Sequence, residues 1–298
     1  MSKDFLLVEK YASKSVSECI LPKSIKKVFL EIEKSGNVPN MILSGPPGVG
    51  KTNLVKALAN SLDRDFLIIN GSDERSIDVI RNKVKNYAST VSLSNSGKKI
   101  LLIDEGDNLT NDSQLALRAA IEELQHNCSF IFTCNYKNRI DPALQSRCPV
   151  VDFTIPSKER PELAKKFYDR VLEILDKENI KCEDNKILTK LLMKYFPDFR
   201  RTLNVIQKYS TSGYLDSSIL AQASDIKISA LYEYLKNRNF SDVRKWVIDN
   251  LDNDPNTLLR KFYDGLESVM VKHSIPNAIL IIHDHMGKNV VDNEINLI

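Results

Sequence analysis

The residues best suited to chemistry stand together in one octapeptide, Gly45-Pro46-Pro47-Gly48-Val49-Gly50-Lys51-Thr52. Its glycines leave no Cβ between backbone N–H groups and an anion, so the loop can wrap a phosphate chain. Lys51 adds a cation that can reach β- and γ-phosphates, and the Thr52 hydroxyl adds a hard oxygen for Mg²⁺. The apolar run Met41–Ser44 precedes the loop and a helical pattern follows it. A helix opening here aims the positive end of its dipole at the same anion. That order of strand, loop and helix separates a phosphate-binding loop from an incidental Gly-rich turn.

Well downstream, Ile100-Leu-Leu-Ile-Asp-Glu105 is an apolar strand that ends on two adjacent carboxylates. Asp104 suits Mg²⁺ coordination beside a triphosphate. Glu105 suits the orientation and polarisation of an attacking water. Asn135 follows the apolar run Ser129–Thr133, where a side-chain amide could hold that water, although Asn also ends strands as a simple turn residue. Arg147, in Gln145-Ser-Arg-Cys148, reads on its own as a surface charge.

These residues need a scaffold that brings them to one edge. Strands are expected at Met41–Ser44, Phe66–Asn70, Ile100–Asp104, Ser129–Thr133 and Val150–Thr154, each short and rich in Ile, Leu, Val or Phe. Helical stretches alternate with them, as in Thr52–Leu62 with Leu54, Val55, Leu58 and Leu62 on one face. The alternation predicts a three-layer α/β domain with a mostly parallel sheet. Near Pro156 the pattern turns helical, with no convincing strand beyond Ser157. Leu163, Phe167, Val171 and Leu175 line one helix, and others are expected at Asn185–Tyr195 and Phe199–Ser212. After a polar joint near Asp216–Ser224, a further helical block runs to the end, broken at Asp254-Pro255 and Ile275-Pro276. The expected domains are 1–155, 156–215 and 225–298.

The segment Asp104-Glu-Gly-Asp-Asn-Leu-Thr-Asn-Asp-Ser-Gln-Leu-Ala-Leu-Arg118 resembles the Walker B helix of AAA+ sliding-clamp loaders, the replication factor C small subunits and phage clamp-loader ATPases. Thr133-Cys-Asn-Tyr-Lys-Asn-Arg-Ile-Asp-Pro-Ala-Leu-Gln-Ser-Arg-Cys148 is similar to their segment ending in Ser-Arg-Cys. Val8-Glu-Lys-Tyr11 looks like the family's N-terminal segment near the adenine, and Pro197-Asp-Phe-Arg-Arg-Thr202 like its sensor 2 helix. The resemblance is dense over 5–210, thinner beyond, and closest in character to T4-like phage large subunits. It implies an AAA+ P-loop domain, an α-helical lid and an α-helical collar that joins subunits. It also assigns roles. Asn135 becomes sensor 1, Arg200 the sensor 2 arginine at the γ-phosphate, and Tyr11 a neighbour of the base. Arg147 becomes a finger acting in trans, while Gln114 and Arg118 couple Walker B to neighbouring subunits. Two departures stand out: Gly106 where the family has Ala, and Ala12-Ser13 where it has Arg-Pro.

The implied activity is Mg²⁺-dependent ATP hydrolysis that drives clamp opening and release on primer–template DNA during replication. The implied partners are sibling ATPase subunits and a non-identical subunit in a pentamer, the sliding clamp, and DNA. Arg81 and Lys85, spaced i and i+4 on an expected helix Ile77–Ala88, would follow the phosphate backbone, while Lys98 and Lys99 stay open. The alternative is another AAA+ machine, such as a helicase loader, an unfoldase or a DNA-remodelling ATPase. An unfoldase pore loop would carry an aromatic–Gly pair, whereas Tyr87–Gly97 is rich in Ser and Asn. A non-hydrolysing scaffold is the third possibility. Totals add little: 298 residues, net charge +3, 42% hydrophobic and 27% charged describe an ordinary globular chain. No apolar run approaches the ~18 residues of a membrane helix, and the N-terminus lacks a signal-peptide pattern, so a cytoplasmic protein is expected (host cytoplasm for a phage). Five cysteines with no C-x-x-C pair suggest reduced thiols. His283-Asp-His285 offers too few ligands for a metal, and Trp246 reads as collar core or an anchor between subunits.

Overall fold

The computed structural model describes residues 6–73, 77–90, 98–182, 184–210, 213–215, 228–250 and 255–286. Five short segments form one parallel sheet: β1 Met41–Ser44, β2 Phe66–Asn70, β3 Lys99–Asp104, β4 Cys128–Cys134 and β5 Val150–Asp152, in the order β2-β3-β4-β1-β5. The central strands β3, β4 and β1 are buried almost throughout, while the edge strands β2 and β5 stay partly open. That is why the run Ile100–Ile103 has no polar alternation. Both faces of the sheet are covered, so each pleat direction needs an apolar side chain.

A short helix α1 (Leu7–Lys10) precedes the layers proper. Alternate residues of β3 serve the two faces of the sheet. Ile100 and Leu102 pack with Met41, Leu43 and Phe153 against Phe29 of helix α2 (Lys23–Ser35) and Leu54 and Leu58 of helix α3 (Lys51–Ser61). Leu101 and Ile103 pack with Phe130 and Phe132 against Ile80 and Val84 of helix α4 (Ile77–Ser89) and Leu117 and Ile121 of helix α5 (Asn111–Leu124). The short helix α6 (Pro142–Gln145) leads into β5. All strands run the same way, so Ser44, Asp104 and Cys134 finish on one edge of the sheet. Ser44 pairs with Cys134, and Asn70 with Asp104. The loops after β1, β3 and β4 therefore meet, as open α/β sheets arrange for their ligands.

Beyond the sheet, helices α7 (Arg160–Lys177), α8 (Asn185–Tyr195) and α9 (Phe199–Tyr209) bury Phe167, Val171, Leu191 and Ile206. Asp184 and Asp198 cap the last two, each accepting a backbone N–H two or three residues on. One expectation fails here. Lys181–Cys182 and Tyr214–Leu215 make a two-residue parallel pair, too short to leave any periodicity in a sequence. Helix α9 also stops at Tyr209, short of the expected Ser212. The joint at 216–224, residues 91–97 of the Ser/Asn-rich segment and the last stretch, 287–298, lie outside the described residues.

By its internal contacts the chain divides into Met1–Leu220 and Ala221–Ile298. The second unit has helices at Ile228–Lys236, Phe240–Asp249, Pro255–Val269 and Ile275–Met286. Val243, Val247, Leu258, Leu266 and Ile282 are buried within it, and Tyr232 stacks on Phe262 at 5.2 Å. Trp246 is half-buried, while Phe240, Leu280 and Ile281 are exposed. Among the described residues no helix is long and apolar enough to cross a membrane and no metal-ligand cluster occurs. None of the five cysteines is in a disulfide, and four of them are buried.

Lys99 is drawn inward. It is 5% exposed, and its Nζ donates to Tyr87 O at 3.0 Å and Thr90 Oγ1 at 2.6 Å while lying over the Tyr87 ring. It thus ties the end of α4 to the first residue of β3, with its ammonium taken up by contacts within the chain. Lys98 is exposed, and its carbonyl accepts from Arg64. Lys99→Met keeps the aliphatic stem but removes two charge-assisted hydrogen bonds, to Tyr87 O and Thr90 Oγ1. The expected cost is about 1–3 kcal/mol, read from urea unfolding, with faster amide exchange over residues 77–89.

Candidate nucleotide-binding site

The octapeptide turns between Ser44 of β1 and the first turn of α3 with Gly48 at φ 75° and Gly50 at φ 92°, both left-handed. At Gly48 the need is twofold, because a Cβ there would also collide with Asp198 Oδ1. Lys51 points back under the loop. It is 8% exposed, and its Nζ donates to Gly45 O at 2.6 Å, Pro46 O at 2.9 Å and Asn135 Oδ1 at 3.1 Å. Burial holds the pKa of this ammonium below the ordinary lysine value.

Two hydroxyls converge on one carboxylate oxygen. Thr52 Oγ1 donates to Asp104 Oδ1 at 2.7 Å, and Thr133 Oγ1 donates to the same atom at 2.5 Å. Thr133 Oγ1 in turn accepts the Glu105 N–H at 3.0 Å. Glu105 adopts φ 54°, and its carboxylate takes the Ser72 hydroxyl and, at 3.4 Å, Asn108 Nδ2. Gly71 allows this approach, since a Cβ there would sit 2.5 Å from the Glu105 carbonyl oxygen. Thr52 and Asp104 are a compact pair of hard oxygen donors beside a phosphate loop, which fits Mg²⁺ with water completing its shell.

The helices beyond the sheet close the site. Phe199 N donates to Gly48 O at 3.1 Å, so α9 begins on the loop itself. A cavity of about 530 Å³ results, within the range of small-ligand sites. Its lining includes Lys51, Thr52, Asp104, Glu105, Asn135 and Arg200, together with Tyr11, Ile20, Phe167, Ile174 and Leu203. Tyr11 Oη donates to Glu178 Oε1 at 2.5 Å, and Leu7 N to Gln207 Oε1 at 3.0 Å. These bonds tie the N-terminal segment to the end of α7 and to α9.

Comparison with known proteins agrees with this geometry. The family described as ATPase family associated with various cellular activities (AAA) matches residues 41–154. The family described as sliding-clamp-loader large subunit, AAA+ ATPase lid domain, matches residues 159–221. The sliding-clamp-loader large subunit of Enterobacteria phage T4 is 38% identical over 96% of this chain and 89% of its own length. That of Escherichia phage RB69 is 37% identical over 84% and 82%. The chain belongs to the sliding-clamp-loader family of AAA+ ATPases. The replication factor C small subunit of Sulfurisphaera tokodaii is 32% identical over all of this chain and 85% of its own. A mutant RuvB structure from Thermotoga maritima shares the fold, with TM-score 0.59 at 16% identity over 90% of this chain and 85% of that one.

The remaining predicted residues of this clamp-loader chain lie outside the cavity. Gln114 is 2% exposed and wholly occupied: its Nε2 donates to Arg139 O at 3.0 Å and Leu109 O at 3.4 Å, and its Oε1 accepts Asp141 N at 2.7 Å. It fastens α5 to the turn that leads into α6, within one chain. Arg118 is half-buried on the same helix. Arg147 is absent from the cavity lining and pairs instead with Glu122 of α5. Arg81 and Lys85 are exposed on α4, with Lys85 Nζ 3.8 Å from Glu123 Oε2.

Sequence reasoning passed over Thr133, Ser72 and above all Asp107. Asp107 is 7% exposed, and its Oδ2 accepts the N–H groups of Asn135 and Tyr136, each at 3.0 Å. It fixes the backbone from which Asn135 reaches Lys51. The one signal was its place in Asp104-Glu-Gly-Asp107, where the first two acids have the more evident chemistry. Asp107→Ala is expected to leave ATP affinity near wild type and lower kcat by about 10- to 100-fold, since small misplacements at a reacting centre cost that much. Equilibrium nucleotide binding beside single-turnover hydrolysis checks it.

Proposed function

We propose that this chain is a hydrolysing ATPase subunit of a DNA sliding-clamp loader. The observation that carries this is one cavity shared by the phosphate loop, Asp104, Glu105, Asn135 and Arg200, with the Ser-Arg-Cys arginine directed elsewhere. In this reading Lys51 exchanges the Gly45 and Pro46 carbonyls for β- and γ-phosphate oxygens of ATP. Thr52 and Asp104 hold Mg²⁺, which neutralises phosphate charge when bound. Glu105 and Asn135 orient the attacking water, and Arg200 steadies the γ-phosphate from the lid. The nucleobase lies toward Tyr11 and the apolar lining.

Arg147 serves a neighbouring subunit as a trans finger, Gln114 and Arg118 relay the state of Walker B toward it, and the C-terminal helices join siblings and a non-identical subunit, in a pentamer. ATP favours the arrangement that grips an open clamp and primer–template DNA, and hydrolysis removes that preference. Arg81 and Lys85 follow the DNA phosphates without reading sequence. The chain acts in the cytoplasm, that of the host if phage-encoded.

Steady-state ATPase of the assembly, with and without primer–template DNA and clamp, tests the reading. DNA and clamp together should stimulate turnover strongly. Arg147→Ala should bind ATP but lose most of that rate, by about 10³-fold where fingers behave as in GTPases. Turnover indifferent to both ligands would remove the clamp-loading function. Arg81→Ala and Lys85→Ala should weaken DNA binding for all sequences and flatten the log–log salt slope by about 0.9 for each phosphate no longer neutralised. Fluorescence anisotropy over a salt series measures both effects.

A further inference from the structure

We infer that Glu122 is the positioning residue of the Arg147 finger. The inference rests on the reading of Arg147 as a trans finger and names what aims it.

A guanidinium has five N–H groups in one plane. In Arg147, Glu122 Oε1 takes Nε–H at 2.8 Å and an Nη2–H at 2.5 Å, and Ala143 O takes an Nη1–H at 2.8 Å. Ser146 Oγ lies 3.5 Å from Nη1, at the limit of a hydrogen bond. The Nε edge is therefore clamped on one side and the Nη1 nitrogen on the other. One N–H on Nη2 remains for an outside acceptor, and the second Nη1–H is held only by the long Ser146 contact. A planar fork held in this way suits phosphate oxygens, which guanidinium recognises two at a time.

The clamp joins two separate elements. Arg147 follows the short helix α6, whereas Glu122 projects from α5. Its side chain is 57% exposed against 29% for Arg147, so the arginine is set into the surface and the glutamate reaches over it. An exposed pair of this kind contributes little to folding. What it does supply is direction, because an untethered arginine would sample many rotamers before meeting its target. Glu122 also lies on the helix that carries Gln114 and Arg118, at successive i, i+4 positions of one face. Displacement of α5 therefore moves the carboxylate that aims the finger.

The experiment uses the assembled complex with primer–template DNA and clamp, and compares Glu122→Ala, Glu122→Gln, Arg147→Ala and the Glu122→Ala/Arg147→Ala double variant. Glu122→Ala should lower stimulated kcat by about 10- to 100-fold, with KM for ATP, assembly and melting temperature unchanged. Glu122→Gln, which keeps an acceptor oxygen without the charge, should fall between it and wild type. In the Arg147→Ala background Glu122→Ala should change nothing further. Wild-type kcat in Glu122→Ala beside a slow Arg147→Ala would overturn the inference and leave the finger standing. An equal loss in both backgrounds would also overturn it, by showing that Glu122 acts through something else. Wild-type turnover in Arg147→Ala would sink the finger reading, and the positioning role with it.

Discussion

A lysine ammonium held almost out of water sets the terms for everything around it. Removing Lys51 from solvent is costly, and the loop offsets that cost with the Gly45 and Pro46 carbonyls and the Asn135 side chain. Asp104 and Asp107 add negative charge nearby. Carbonyl dipoles are weak substitutes for a counter-ion in such a place. A phosphate oxygen bearing full charge would interact far more strongly there than in water. The cation is thus satisfied well enough for the loop to fold and poorly enough to favour a polyanion. Only a rigid edge can hold that balance, and β1, β3 and β4 supply it through buried pairing on both sides.

The same edge also sets the position of α5. The helix starts just beyond Asp104 and Glu105, with Thr110 capping it through Ser113 N. Its inner face packs Leu117 and Ile121 into the sheet, so it moves as a body with its neighbours or not at all. Its other residues reach outward to three different segments. Gln114 grips the backbone at Arg139 and Asp141, Glu122 grips Arg147, and Glu123 faces Lys85 of α4. One rod therefore links the turn after the Walker B strand with the proposed finger and the proposed DNA face. No long-range path has to be imagined, because each contact is direct.

Much of this was legible in the sequence because it is carried by local pattern. The strands β1, β2 and β3 fall within a residue of expectation, since short apolar runs bounded by Gly, Asp or Asn admit few alternatives. The phosphate loop was plain from its glycines and its place between strand and helix. What stayed hidden depends on partners distant in sequence. Lys99 was left open as a DNA contact because a lysine beside a strand gives no sign of pointing inward toward Tyr87 and Thr90. Asp107 was given no role because its partners are backbone N–H groups beyond another strand. The pairing of Lys181–Cys182 with Tyr214–Leu215 is two residues long and has no period to detect.

Gly48 shows how one residue can answer to two constraints at once. As part of the loop it supplies a left-handed turn and a bare backbone for phosphate. Its carbonyl also accepts the Phe199 N–H, and its missing Cβ leaves room for the Asp198 carboxylate that caps α9. The start of α9 is therefore fixed to the loop one residue before Arg200. That brings a second helix N-terminus, with its positive dipole end, to a site already served by α3. Arg200 and Lys51 reinforce the same sign of field. The attachment of α9 to Gly48 thus brings Arg200 and Lys51 to the lining of one cavity, where a polyanion would meet both cations.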